Sequence, residues 1–179
     1  MRPVALHFTD SGAGGEAVLL AHALGCDHRM WENLAARLAK SFRVVSIDAR
    51  GHGRSPLGHR PYTLELLADD ACAVLEKLGI AKAHWVGLSM GGMVGQAFAL
   101  RHPARLLKLV IANSTASYGA GGRAMWQARM KMVQEGGLAA IRDMVAERYF
   151  SEGFRASEPV RVAAVMDRFM QTPADGYLA

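Results

Sequence analysis

The stretch around Ser89 constrains the fold of this chain more than any other. Residues 83–86 form a short apolar run, and Gly87-Leu88-Ser89-Met90-Gly91 leads from it into a segment rich in small residues. A serine placed between a buried strand and a helix lies on a strained turn that exposes its hydroxyl group. The backbone on both sides of such a turn comes so close that positions 87 and 91 have room only for glycine. The pattern therefore predicts a nucleophilic Ser89 rather than an ordinary turn serine.

Apolar strands and amphipathic helices alternate along the first part of the chain. A strand over residues 5–9 with a hairpin partner is predicted before the turn cluster at 10–15. Buried strands are then predicted over 17–21, 43–47, 83–86 and 106–112, with helices from Trp31, from an N-cap at Thr63 to Gly79, and over 91–101. This alternation predicts an α/β fold with a parallel sheet and helices on both faces.

Polar residues follow several of these strands directly. They are His22, Asp48, Ser89 and Asn113. Ligands of open parallel sheets bind at the carboxyl ends of the strands, so we expect the chemistry at that one edge of the sheet.

The pattern changes at residues 119–122, a run of glycines that we expect to be a flexible break. Only helical patterns follow, over 124–134, 138–150 and a last helix with Ser157 as its cap and Pro159 in its first turn. A helical segment inserted after a sheet strand is typical of a cap over an active site. We therefore expect a core over residues 1–118 and a helical cap over residues 119–179.

Composition and charge exclude several classes of function. The 179 residues are 51% hydrophobic and carry a net charge of +5, and the basic residues are scattered singly among acidic ones. Nucleic-acid binding needs clustered basic residues, so we expect no nucleic-acid partner. No apolar run has the length of a membrane span, and the first residues lack the features of a signal peptide, so we expect a cytoplasmic protein without membrane contact.

Cofactor motifs are absent from the sequence. Cys26 and Cys72 have no metal-like or disulfide-framework spacing, and we find no phosphate loop and no metal-ligand cluster. Gly12-Ala13-Gly14 lacks the strand-to-helix setting of a dinucleotide fingerprint. We therefore expect neither a cofactor nor a metal.

Four motifs together resemble the α/β-hydrolase superfamily over residues 5–115. They are His22-Ala23-Leu24-Gly25, the run from Asp48 to Ser55, Gly87 to Gly92, and Arg101-His102-Pro103. Within the superfamily, residues 22–31 and 123–177 look most like 3-oxoadipate enol-lactonases, which open an enol-lactone in the bacterial breakdown of aromatic compounds. General carboxylesterases and perhydrolases share most of these motifs and remain an alternative.

The resemblance implies a role for particular residues. Ser89 would attack the carbonyl of a small ester or lactone, and the backbone N–H groups of Leu24 and Met90 would bind the resulting oxyanion. Trp126 would either pack between helices or line the substrate pocket, as a cap requires. Arg129 would either pair with the carboxylate of an anionic substrate or lie on a solvated helix face.

The sequence departs from the family after Ser89. The superfamily places its acid and base downstream of the serine, yet the only downstream histidine is His102, roughly 19 Å away along the predicted helix. Asp143, Asp167 and Asp175 all lie in cap-like segments, so none fits the role of the acid. We therefore expect a truncated hydrolase in which the last strands and helix of the fold are missing. The alternative is a catalytically inactive fragment without the Asp and His of the triad.

Other polar residues near the predicted edge have competing interpretations. We expect His22 to hold its turn by hydrogen bonds, and Asp48, Arg50 and His52 to brace a loop rather than form a catalytic His–Asp pair. Cys26 is expected to be a packing residue rather than a second nucleophile, because no basic partner is evident.

Overall fold

The computed structural model describes residues 3–12 and 14–179. Met1 and Arg2, which are among the first residues that lack signal-peptide features, lie outside the described residues. Ala13 of the predicted turn cluster also lies outside them. The strands are β1 (Phe8–Asp10), β2 (Ala17–Ala21), β3 (Arg43–Ile47), β4 (Ala83–Leu88) and β5 (Leu106–Ala112). The helices are α1 (Glu32–Leu38), α2 (Leu64–Lys77), α3 (Met90–Arg101), α4 (Gly119–Gly136), α5 (Arg142–Tyr149), α6 (Glu152–Ser157), α7 (Pro159–Met170) and α8 (Ala174–Leu178).

The strands form one sheet in the order β1-β3-β2-β4-β5, and all neighbours are parallel except β1 and β3. The predicted α/β fold with a mainly parallel sheet is thereby confirmed. The hairpin expected for the first strand is wrong, because β1 pairs with β3, which lies between β1 and β2. Strand β2 has β3 on one side and β4 on the other, so it has no free edge for β1.

The core lies on both faces of the sheet. All five residues of β2 are buried, as expected of a central parallel strand.

Helix α2 begins where it was predicted, because the hydroxyl group of Thr63 accepts the N–H of Leu66 at 3.2 Å. It ends before Gly79, which has a φ of 66°. None of the described helices is long and apolar enough to cross a membrane.

Strand β5 is an open apolar edge of the sheet: its sequence alone predicts a buried strand, but such an edge is expected if the last strands of the fold are missing. Val110 is 52% exposed and Ile111 is 43% exposed. The strand pairs with β4 on one side only, and no described strand pairs with its other side. An unpaired apolar edge of this kind is prone to aggregation.

Helices α4, α5, α7 and α8 and the short turn Leu138–Ile141 share a second hydrophobic cluster that includes Val133, Ile141, Met166 and Phe169. Two expectations for this region are wrong. The glycines at 119–122 form the first turn of α4 rather than a break, and Gly122 packs closely against Tyr118. Ser157 is the last residue of α6 and caps nothing, whereas the hydroxyl group of Ser151 caps α6.

A buried ion pair fixes the loop after β3 to helix α2. Nε of Arg50 donates to Asp70 at 2.8 Å and its Nη2 at 2.7 Å, and both side chains are almost fully buried. The N–H of Val4 donates to the same carboxylate at 2.8 Å.

Replacing Asp70 with asparagine is expected to lower the free energy of unfolding by about 3 kcal/mol, because Arg50 would remain buried with its charge uncompensated. Chemical denaturation of the variant measures this cost. The matched control is Asp69→Asn on the same helix, where the carboxylate pairs with Arg101 near the surface and a much smaller effect is expected. Equal losses in the two variants would contradict the prediction.

Candidate active site

Ser89 lies on a sharp turn between β4 and α3. Its backbone has a φ of 52° and a ψ of −113°, and Asn113 is the only other described non-glycine residue with a positive φ. The N–H of Ser89 donates to the carbonyl of Ala112 at 3.0 Å, which attaches the turn to the end of β5. A non-glycine residue in this region costs energy and is held there by its surroundings. The strained turn that the sequence predicts is therefore present.

Two glycines make this turn possible. A Cβ on Gly87 would lie 2.2 Å from the carbonyl oxygen of Gly91. A Cβ on Gly91 would lie 2.1 Å from the carbonyl oxygen of Ala21. Any larger residue at position 91 would therefore force α3 away from β2.

The register of the strands brings the predicted site loops to one edge of the sheet. Ala21 is aligned with Ile47 of β3 and with Gly87 of β4. The loops that follow β2 at His22 and β3 at Asp48 therefore start beside the turn that follows β4 at Ser89, as the sequence predicts.

The backbone N–H groups of Leu24, in the loop after β2, and of Met90, directly after Ser89, have no acceptor among the described residues. Met90 is the first residue of α3, where N–H groups lack partners within the helix and the helix dipole favours negative charge. The carbonyl of Ala23, in the same peptide unit as the N–H of Leu24, accepts from Nδ1 of His22 at 2.8 Å and from the N–H of Cys26 at 3.0 Å. These two hydrogen bonds fix the orientation of the Leu24 N–H.

His22 joins two loops of the site. Its Nδ1 donates to Ala23, and its Nε2 accepts the N–H of Ala49 at 2.8 Å. Burial lowers the pKa of His22, so the ring is neutral and fits one donor and one acceptor role. The predicted role of His22 in holding its turn agrees with these contacts.

The segment after β5 contacts the loop after β2 directly. The hydroxyl group of Tyr149 donates to the carbonyl of Leu24 at 2.7 Å, and that of Thr172 donates to the carbonyl of Gly25 at 3.2 Å. Burial raises the pKa of Cys26 in this loop to about 11, so the thiol stays protonated near neutral pH. The packing interpretation of Cys26 fits this environment better than that of a second nucleophile.

Arg129 is a buried cation of helix α4. It is 8% exposed, and its guanidinium group lies over the rings of Trp126 at 5.1 Å and of Tyr177 at 5.5 Å. No described carboxylate forms an ion pair with it, and its Nε has no hydrogen-bond partner. The interpretation of Arg129 as part of a solvated helix face is therefore wrong. Spacing along the sequence missed this because Tyr177, which covers the arginine, comes from a different helix.

Trp126 is half-buried next to Arg129, and its ring packs edge-on against Tyr118 at 5.6 Å. Its buried Nε1 has no hydrogen-bond partner among the described residues. Tyr177 also lies next to Gly25, because a Cβ on that glycine would be 3.4 Å from the tyrosine ring. Tyr177 therefore packs against both the guanidinium group of Arg129 and the loop that contains Leu24 and Gly25.

Asp48 pairs with His28, and a catalytic pair of Asp48 and His52 does not form. Oδ1 of Asp48 lies 2.8 Å from Nδ1 of His28. His52 instead lies 3.1 Å from the carbonyl of Arg50, and burial lowers its pKa to about 3. His7 lies beside His28 and completes a cluster of possible metal ligands. No pattern in the sequence indicates this cluster, because its members come from three separate segments.

Comparison with known proteins identifies the family of the chain. The family described as the alpha/beta hydrolase fold matches residues 16–144. The chain belongs to this family. 3-Oxoadipate enol-lactonase 2 of Acinetobacter baylyi is 35% identical to this α/β hydrolase over 175 residues, which are 97% of the chain and 65% of that protein.

Solved structures agree with this relationship. The crystal structure of the enol-lactonase from Burkholderia xenovorans LB400 is 36% identical and has a TM-score of 0.91, over 97% of this chain and 67% of that one. A thermophilic esterase from Thermogutta terrifontis is 30% identical with a TM-score of 0.90, over 97% of this chain and 64% of that one. The chain therefore spans about two thirds of the length of these relatives. The predicted resemblance to α/β hydrolases of the enol-lactonase type is confirmed.

No described residue is positioned beside Ser89 to act as the base that such a hydrolase needs. His102 lies at the far end of α3, with its Nε2 2.8 Å from Asp69 and its ring against Phe98. No described side chain makes a hydrogen bond to the hydroxyl group of Ser89. His102 therefore takes no part in the site, as the sequence predicts.

Proposed function

We propose that the chain carries the nucleophile, the oxyanion site and the substrate-recognition cap of a hydrolase that opens an enol-lactone. The observation that carries this proposal is the strained backbone of Ser89 at the start of α3, where the N–H group of the next residue, Met90, has no described acceptor. A serine in this setting is typical of a nucleophile in acyl transfer. The residues from 1 to 118 would form the catalytic core, and those from 119 to 179 the cap.

The proposed reaction begins with attack of the Ser89 oxygen on the lactone carbonyl. The N–H groups of Leu24 and Met90 would bind the oxyanion, and loss of one such donor typically costs about 2.7–4 kcal/mol of transition-state stabilisation. The ring C–O bond then breaks, and the departing enolate takes a proton on its carbon, so that its oxygen becomes the ketone oxygen of the product. Water finally releases the keto acid from Ser89. The proton of the Ser89 hydroxyl group needs a base, which none of its described neighbours supplies.

The substrate class follows from Arg129. A guanidinium group that is buried without a carboxylate partner is costly unless a ligand supplies the negative charge. A lactone that carries a carboxylate would pair with Arg129 while its ring packs against Trp126. The similarity to two enol-lactonases supports an enol-lactone acid as this substrate.

A carboxylesterase of broad specificity is the second candidate. The similarity to the Thermogutta terrifontis esterase favours it. It would use the same Ser89 site, but it would show no preference for substrates with a carboxylate. The two candidates are therefore separated by the role of Arg129.

Replacing Arg129 with methionine is expected to weaken the binding of 3-oxoadipate by roughly tenfold to a hundredfold, because a charge-assisted hydrogen bond to the ligand is lost. Titration calorimetry measures this affinity without requiring turnover. Arg123→Met, an exposed residue of the same helix, is the matched control and should bind as the original chain does. Equal binding by all three proteins, or no binding by the original chain, would contradict the assignment of an anionic substrate.

The cellular location is proposed on simpler grounds. Cys26 and Cys72 are both free, as is usual in the reducing cytoplasm. We therefore retain a cytoplasmic location as a proposal.

A further inference from the structure

We propose that His7, His28 and Asp48 form a binding site for a divalent first-row transition-metal ion such as Zn²⁺. The two imidazoles and the carboxylate each offer one ligand atom, and these atoms all lie within 4.8 Å of one another. This inference does not rest on the proposed hydrolase activity. The site lies on the side of the sheet where β1 meets β3, whereas Ser89 follows β4.

The spacing of the donor atoms suits one ion. Metal–nitrogen and metal–oxygen bonds to Zn²⁺ are about 2.0–2.2 Å long, so two ligands of a tetrahedral ion lie roughly 3.3–3.6 Å apart. Nδ1 of His28 is already 2.8 Å from Oδ1 of Asp48. The rings of His7 and His28 meet edge to face with their centroids 5.0 Å apart. Small rotations of these side chains, which move the nitrogens by about 1 Å, would complete the geometry.

One nitrogen in the cluster lacks any other use. Nε2 of His7 is buried and has no hydrogen-bond partner among the described residues. Buried polar atoms are nearly always paired, so an atom of this kind calls for a partner outside the chain. A metal ion between His7, His28 and Asp48 would supply that partner.

The backbone around the three ligands is held in place by hydrogen bonds. The N–H of Asp48 donates to the carbonyl of His7 at 2.9 Å, and the N–H of His28 donates to Oδ1 of Asp48 at 2.7 Å. The N–H of Arg54 donates to Oδ2 of Asp48 at 2.9 Å. Bonds of this type orient the ligands of metal sites and increase their affinity.

The proton balance of binding is simple. In the absence of an ion, the N–H group at Nδ1 of His28 donates a hydrogen bond to Oδ1 of Asp48. When Nδ1 binds the ion, the ring proton moves to Nε2, and the imidazole remains neutral. The carboxylate neutralises one of the two positive charges of the ion. Two imidazoles and one carboxylate are a ligand set that suits zinc and its neighbours in the first transition row better than Mg²⁺ or Ca²⁺.

Calorimetric titration of the reduced, untagged chain with Zn²⁺ tests the site, together with the visible absorption of the Co²⁺ complex as a report on nitrogen and oxygen ligation. Two variants are chosen to retain the packing of the cluster. His7→Phe keeps an aromatic ring against His28, and His28→Asn keeps an N–H group for Asp48. His59→Asn, an exposed histidine outside the cluster, is the control, and circular dichroism confirms that every variant is folded.

We expect one Zn²⁺ per chain, with an affinity that falls by roughly tenfold or more in both His7→Phe and His28→Asn and is unchanged in His59→Asn. The absence of saturable binding by the original chain would overturn the proposal. Weakening in only one of the two cluster variants, or a Co²⁺ spectrum with thiolate ligation, would also overturn the three-residue site.

Discussion

A chain in which Gly91 is replaced by alanine is expected to lose its native fold. The new Cβ would lie 2.1 Å from the carbonyl oxygen of Ala21 and 2.6 Å from its carbonyl carbon. Both atoms belong to the backbone of β2, which is buried between two neighbouring strands and has no space to move into. Relief of the clash requires α3 to separate from the sheet, at a cost of more than roughly 4 kcal/mol of folding free energy.

Gly121→Ala is the matched control for this prediction. Gly121 is also in a helix, but a Cβ there would meet nothing within 4 Å. Alanine has a higher helix propensity than glycine, so this variant should be more stable by about 0.5–1 kcal/mol. Urea denaturation followed by circular dichroism measures both changes. A folded Gly91→Ala chain as stable as the original would show that α3 does not pack on β2 in this way.

At alkaline pH, where hydroxide can take the proton of the Ser89 hydroxyl group in place of a base, Ser89→Ala is expected to reduce the release of p-nitrophenolate from p-nitrophenyl acetate to the background rate. This ester is chosen because its leaving group departs without a proton from a general acid. The hydroxyl group of Ser89 has no hydrogen-bond partner among the described side chains, and alanine tolerates the positive φ about as serine does. The stability of the variant should therefore be unchanged.

The control for this effect is Ser157→Ala, which removes an exposed hydroxyl group from the cap. It should leave the acylation rate unchanged. Retention of most of the rate in Ser89→Ala would mean that another residue, or the solvent, reacts with the ester.

Local signals in the sequence predicted much of the backbone. Strand β5 has the predicted limits, and Thr63 caps α2 as expected, because apolar periodicity and capping act over a few neighbouring residues. The fold class followed from the same signals, since alternating strands and helices have few ways to pack.

Features that depend on tertiary contacts could not be predicted in the same way. Strand β1 pairs with β3 instead of forming a hairpin, because the neighbours of β2 occupy both of its edges. The glycines at 119–122 continue into α4, although glycine is a weak helix former. In both places the arrangement of distant segments outweighed the local preference.

The candidate site also combines features that consecutive residues predict with features that depend on tertiary contacts. The strained turn at Ser89 and the glycines beside it are encoded in consecutive residues, so the sequence located them. The burial of Arg129 depends on Tyr177, and the pairing of His28 with Asp48 depends on how two loops meet at the edge of the sheet. Contacts between distant segments leave no pattern in a single sequence.

The most direct test of Ser89 as the nucleophile is peptide mapping by mass spectrometry after the 179-residue chain has reacted with a fluorophosphonate. At alkaline pH, where hydroxide can take the proton of the Ser89 hydroxyl group, a covalent adduct is expected on Ser89, and it should be absent from Ser89→Ala and retained in Ser157→Ala. An adduct on another residue, or no adduct on the folded chain, would contradict the proposed role of Ser89.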